Sequence, residues 1–145
     1  MTRPVLIAAF VLCGATVALA HSGVQNQAVL ERMDAMKAIG DATKTLGRMA
    51  KGDMAFDAKA ARKAARNIAT HAAETPALFE AREMDPKSEA RNAIWEDFDD
   101  FAAQAEALEK LAADLGAGIE TRDDLRAGMG KLASSCKSCH EEYRE

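Results

Sequence analysis

Cysteine is scarce: the chain has three. Cys13 sits in an apolar N-terminal run behind Leu12, where a lipoprotein site wants a small residue, so it reads as a small hydrophobe lost with that run. The other two, Cys136 and Cys139, share one short motif, so no structural disulfide is expected in the mature chain. Positive charge is also short, with 19 Lys and Arg against 23 Asp and Glu and a net charge of −4. That balance supplies no basic face for a phosphate backbone, which excludes nucleic acid as a partner. No stretch alternates apolar and polar residues over several β-branched positions, which argues against strands. There is no second C-x-x-C and no H-x-x-x-H, so a zinc site lacks half its ligands. Neither a second cofactor motif nor a nucleophile–base pair is present, and no catalytic role is expected.

The N-terminus reads as a secretory signal over residues 1–20. Arg3 supplies a positive start, Val5 to Leu19 is apolar, and Ala18-Leu19-Ala20 is a small-x-small cleavage site that leaves His21 as the new terminus. The apolar run is too short to span a bilayer, so no membrane anchor is expected. The signal holds one basic residue and no acidic one, so its removal takes the net charge from −4 to −5. Residues 21–145 then form one domain.

Helix formers dominate that domain. A first helix is expected from Ser22, as N-cap, to about Ala50, with Val29, Met33, Met36, Ile39, Leu46 and Met49 inward and Gly52 as the stop. A second runs from Asp57 to Thr75, with a thin inner face of Ala61, Ala64, Ala65, Ile68 and Ala72, and Pro76 ends it. Residues 76–89, with Pro76 and Pro86, make a connection longer than usual. The third is expected from Ser88 to Leu115, and Ile94, Phe98, Phe101, Ala105, Leu108, Ala112 and Leu115 repeat at the alternating 4-and-3 spacing of a bundle seam. The fourth starts near Thr121, with Asp123 and Asp124 in its first turn, and carries Leu125, Met129, Leu132, Cys136, Cys139 and Tyr143 at the same spacing. The expectation is all-α: an antiparallel, up-down-up-down four-helix bundle.

Cys136-Lys137-Ser138-Cys139-His140 lies close to the C-terminus. C-x-x-C-H is the attachment signature of c-type haem. Two thiols reach the two vinyl groups on one porphyrin edge and form thioethers, and the next residue brings an imidazole nitrogen to the iron. On a helix these positions are i, i+3 and i+4, so the three side chains leave one face. A redox dithiol usually opens a helix after a strand, whereas this motif closes a chain with no strand pattern. One covalent haem c is therefore expected, through Cys136 and Cys139, with His140 as the proximal iron ligand.

A C-terminal C-x-x-C-H on the last of four amphipathic helices resembles the cytochrome c′ family. Cys136 to Arg144 is similar to the family's C-x-x-C-H-x-x-(Tyr/Phe)-Arg ending. Asn92-Ala93-Ile94-Trp95 resembles the start of its third helix, and Ala50-Lys51-Gly52 with Phe56-Asp57 resembles its first interhelical loop. The resemblance implies a periplasmic haem protein. High-spin members have a five-coordinate iron under an apolar first-helix residue and bind nitric oxide or carbon monoxide. The low-spin c-556 branch places a Met sulfur on the iron. Counting back from Ala50-Lys51-Gly52 puts Met36 at the position that resembles that ligand, with Met33 one turn earlier as a competitor. Arg32 resembles a first-helix Arg beside a haem propionate in high-spin members, so features of both branches are present.

The lead expectation is a periplasmic electron carrier with a His140/Met36 low-spin iron and redox partner proteins. The alternative is a gas binder with an open distal site. Members of the family often pair through their first two helices, so a homodimer is one expected state. Arg144 is one turn beyond His140 and within reach of the imidazole or a propionate, or else a surface Arg favoured by the helix dipole. His71 reads as a partly exposed structural residue, and His21 as part of a frayed terminus.

Overall fold

The computed structural model describes residues 23–145. The expected signal segment, His21 and the expected N-cap Ser22 lie outside the described residues. Five helices follow in order: α1 Gln27–Lys51, α2 Ala58–Phe79, a single turn α3 Ala93–Glu96, α4 Phe98–Gly118 and α5 Arg122–Tyr143. The four long helices form the bundle. α1 packs on α2 and α5, and α4 packs on the same two, so neighbours in the chain are neighbours around the ring.

Local chemistry sets most of the boundaries. Asn26 Oδ1 accepts the Val29 amide at 3.1 Å and starts α1. Gly52, at φ 92°, takes the left-handed conformation that closes it. Asp57 caps α2 by accepting the Ala60 amide at 2.9 Å. α5 opens with a capping box: Thr121 Oγ1 accepts the Asp124 amide at 3.2 Å and Asp124 Oδ2 accepts the Thr121 amide at 2.8 Å.

Three expected boundaries need correction. α1 begins at Gln27 behind Asn26, not at residue 22. α2 does not stop at Thr75 but runs through Pro76 to Phe79. The proline removes one backbone bond near the helix end, while Phe79 is buried and Arg32 Nε donates to Leu78 O at 2.8 Å, so tertiary contacts hold the extra turn. The third helix does not start at Ser88. Residues 89–91 instead pair with the C-terminus, Arg91 N donating to Tyr143 O at 3.0 Å and Glu145 N to Glu89 O at 2.9 Å. At Asp97 the backbone leaves the helix (φ −136°, ψ 66°), because the Asp97 carboxylate caps α4 by accepting the Asp100 amide at 3.3 Å.

The interior is divided. Leu46, Ile68, Ala112, Leu125 and Leu132 belong to a core that closes the half of the bundle away from the C-terminus. Phe79, Ile94, Phe101 and Tyr143 form a second, aromatic cluster at the other end. Small residues permit the close approach of α2 and α4: a Cβ placed on Gly116 would lie 3.2 Å from Ala65 Cβ.

Two carboxylates near the aromatic end are held below the usual range. Asp85 is lowered chiefly by the Gln25 and then the Lys87 backbone N–H, and Asp100 chiefly by the Tyr143 hydroxyl and then the Gln104 amide. Groups with a depressed folded pKa contribute stability that is present above the unfolded value, about 3.9, and lost as pH falls through the lower folded value. Thermal melts from neutral pH downward should therefore show a falling melting temperature below about pH 5, and Asp85→Asn should flatten that acid limb. An unchanged limb in the variant would remove Asp85 as its source.

Candidate functional site

The seam of α5 carries Leu125 and Leu132 into the core and then delivers Cys136 and Cys139, half-buried, where the core gives out. Both thiols are free and lie one turn apart on the same face. Between the two apolar clusters the bundle holds a cavity of about 590 Å³. That volume falls within the range of about 300–1,000 Å³ usual for ligand and cofactor sites. Cys136, Cys139 and His140 line it from α5, and Met33 and Met36 line it from α1. Phe101 and Leu108 of α4 form a third wall, and residues 87–90 of the α2–α3 connection a fourth.

The electrostatics favour neutral side chains. Burial pushes the Cys136 thiol up, and burial followed by the charges of Cys136, Asp100 and Glu142 pushes Cys139 up to about 11. Redox dithiols need the opposite, a depressed thiolate pKa, so this pair is not built for exchange chemistry. The His140 imidazole is held below its ordinary value, first by partial burial and then by the Arg144 charge, with Glu89 opposing. It is therefore neutral at physiological pH, the form that binds a metal. Among the described residues no three His, Cys, Asp or Glu side chains gather to hold a metal ion by themselves.

The end of α5 is fastened from outside. Arg91 Nη1 donates to Glu141 O at 2.9 Å, and Arg144 Nε donates to Glu89 Oε2 at 2.6 Å, with Nη2 on the same oxygen. Tyr143 donates its hydroxyl to Asp100 Oδ2 at 2.7 Å and sets its ring edge-on to Phe101, centroids 5.3 Å apart. His140 is thus carried on a helix end held by both the connection and α4. Glu89 and Arg91 escaped the sequence reading because their partners are backbone carbonyls and a C-terminal Arg, which leave no periodic signal.

The remaining sequence candidates separate clearly. Met36 lines the cavity and packs against the large core, and Met33 lines it as well. Arg32 borders the cavity, but three of its five N–H donors go to the backbone carbonyls of Leu78, Ala81 and Glu83. Arg144 is engaged with Glu89. His71 Nδ1 lies 2.9 Å from Glu74 Oε2 on the outer part of α2 and takes no part in the cavity.

The cavity suits a large, flat, mostly apolar group. Its walls are chiefly apolar, a Cβ added to Gly40 at its edge would meet nothing within 4 Å, and the buried Thr43 hydroxyl beside it has no hydrogen-bond partner. Two neutral thiols and one neutral imidazole on a single face are the donor set that haem c requires.

Comparison with known proteins agrees. A family model described as Cytochrome C′ matches residues 27–144. Cytochrome c′ of Rhodopseudomonas palustris is 35% identical over 149 residues, covering 98% of this chain and 95% of that protein. Cytochrome c-556 of Agrobacterium fabrum is 37% identical over 120 residues, covering 80% of each. The solved structure of cytochrome c′ from R. palustris superposes with a TM-score of 0.78 at 31% identity, covering 83% of this chain and 98% of that one.

Proposed function

The chain belongs to the cytochrome c′ family and carries one covalent haem c, and on that premise we propose that it is a periplasmic monohaem electron carrier whose iron is low-spin, with His140 on one side and Met36 on the other. Cys136 and Cys139 attach the haem. When bound, haem c supplies a one-electron couple, and an axial Met raises its potential. The chain's own part would be to exclude water with the apolar walls, present a neutral imidazole from α5, and offer the Met36 thioether from α1 in the same cavity. The observation that carries this reading is that Met36 and the C-x-x-C-H side chains line one cavity.

Residues 1–20 direct export, and no helix among the described residues is long and apolar enough to cross a membrane. The partners are periplasmic redox proteins, and the small residues of α2 permit pairing with a second copy through α1 and α2. It transfers electrons and carries out no covalent conversion of a substrate. Arg32 keeps two of its five N–H donors free of the backbone carbonyls of Leu78, Ala81 and Glu83, enough to meet a haem propionate.

The second reading is a five-coordinate iron that binds nitric oxide or carbon monoxide, with the methionines only screening the distal face. It is favoured by the alignment with a cytochrome c′ over 98% of this chain. Absorption spectra of the purified holoprotein, oxidised, reduced, and reduced under carbon monoxide, separate the two. The electron-carrier reading expects a low-spin spectrum, the weak red-edge band of Met–iron bonding, and no response to the gas. A high-spin spectrum with ready gas binding sinks it. Intact mass should equal the chain from His21 plus one haem that survives acid–acetone extraction.

A further inference from the structure

Two buried charges of opposite sign tie α1 to the connection between α2 and α3. Arg32, only 3% exposed, donates Nε to Leu78 O at 2.8 Å, Nη2 to Ala81 O at 2.6 Å and Nη1 to Glu83 O at 2.7 Å. Its guanidinium lies 4.6 Å from the Phe79 ring centroid and 5.5 Å from that of Trp95. The Trp95 ring is itself fixed, its Nε1 donating to Phe79 O at 2.7 Å. Asp85, 8% exposed, works in the other direction: Oδ2 accepts the Gln25 amide at 2.9 Å and the Asn26 amide at 3.2 Å, while Oδ1 accepts the Lys87 amide at 2.8 Å. A cation on α1 takes carbonyls from the end of α2 and the connection, and an anion on the connection takes the amides of Gln25 and Asn26 that lead into α1.

Desolvating a guanidinium and a carboxylate is costly unless their hydrogen bonds are met, and charge-assisted bonds to backbone groups meet them here. Such bonds are directional, so they define where one segment lies along the other, which apolar packing alone does poorly. Two surfaces of the cavity depend on that placement. Arg32 and Met36 are i and i+4 on α1 and share a face, so fixing the first fixes the approach of the second. Residues 87–90, beginning two positions beyond Asp85, are the cavity's fourth wall. A ligand sphere has to be held within about 0.5 Å of its productive geometry.

We infer that Arg32 and Asp85 are positioning residues: a two-way clamp that sets where α1 places Met36 over the haem. The inference rests on the His140/Met36 reading above. A purely structural clamp would affect stability and nothing else.

The test uses the haem-loaded protein. Arg32→Met removes the carbonyl bonds, Arg32→Lys keeps the charge but loses the planar fork, and Asp85→Asn removes the anion. Leu125→Ala, in the core and not among the cavity-lining residues, serves as a destabilised control that leaves the Arg32 and Asp85 hydrogen bonds in place. Each is measured well below its melting temperature for the Met–iron band, carbon monoxide binding by the reduced protein, and reduction potential. Arg32→Met and Asp85→Asn should lose most of the band, gain carbon monoxide binding and fall in potential. Arg32→Lys should lie between them and the wild type, and Leu125→Ala should melt earlier with its band intact. If the clamp variants melt early like Leu125→Ala yet keep the full band, the inference is overturned while the ligand assignment stands. A wild-type protein without the band sinks the ligand assignment, and the inference with it. Should Arg32→Met fail to accumulate, Arg32→Lys and Asp85→Asn decide the question.

Discussion

Met36→Ala is expected to convert a low-spin iron into one with an open distal position. The red-edge band should vanish, the reduction potential should fall, and the reduced protein should change from no response to saturable binding of carbon monoxide. The reasoning starts from helix packing. α1 lies against α5, so its inward face and the C-x-x-C-H face meet across one cavity. A thioether is a soft, neutral ligand that suits ferrous iron and stabilises it against oxidation. Truncation to a methyl leaves nothing at that position able to bond. Met33 reaches the same cavity one turn earlier, and Met33→Ala should leave all three observables unchanged. The reverse pattern would exchange the roles of the two methionines. A wild-type protein that is already high-spin and binds carbon monoxide readily would mean that neither sulfur is bonded, and gas binding would become the leading function.

Phe101→Ala is expected to cost about 3–5 kcal/mol, a large share of the about 5–15 kcal/mol that holds a domain together. Phe101 is 4% exposed and touches three other rings, with centroids 5.0 Å from Phe79, 6.0 Å from Phe98 and 5.3 Å from Tyr143. Its removal leaves a hole that the neighbouring rings, Phe79 and Tyr143 already in edge-on contact with it and Phe98 tilted against it, fill poorly. The same ring walls the cavity, so haem environment and stability should change together. Denaturant unfolding of the holoprotein measures the cost. A loss below about 1 kcal/mol would mean that the aromatic cluster collapses without penalty. Phe98, which is half-buried, should cost less on truncation.

The motif and the seams were legible because they are local or periodic. C-x-x-C-H needs only five consecutive residues, and the 4-and-3 spacing of α4 and α5 reads directly as a buried stripe. Asp57 and Thr121 were legible as helix starts for the same reason. Pro76 misled because proline usually ends a helix, and only Arg32, 44 residues away in the chain, shows why α2 continues. Asp97 misled because it sits inside an unbroken helical period, and a cap within such a period looks like a surface residue. Arg32 resembled a propionate contact, yet three of its five donors are engaged by backbone carbonyls at the end of α2 and in the connection.

What the amino-acid sequence alone determined was the inventory and its periodicity: two thiols and an imidazole on one helical face, four amphipathic segments, an acidic charge balance, and two methionines a turn apart on the first helix. Side-chain chemistry and a 3.6-residue repeat suffice for that, because both act over a few residues. Which helices adjoin, where the core opens into a cavity, and which backbone groups a buried Arg and a buried Asp grip were decided only by the folded chain. Those outcomes depend on contacts between residues 40 to 60 positions apart, such as Arg32 with Leu78 and Gln25 with Asp85. No local pattern encodes such contacts; they exist only once the helices have packed and the connection has closed over the end of the bundle.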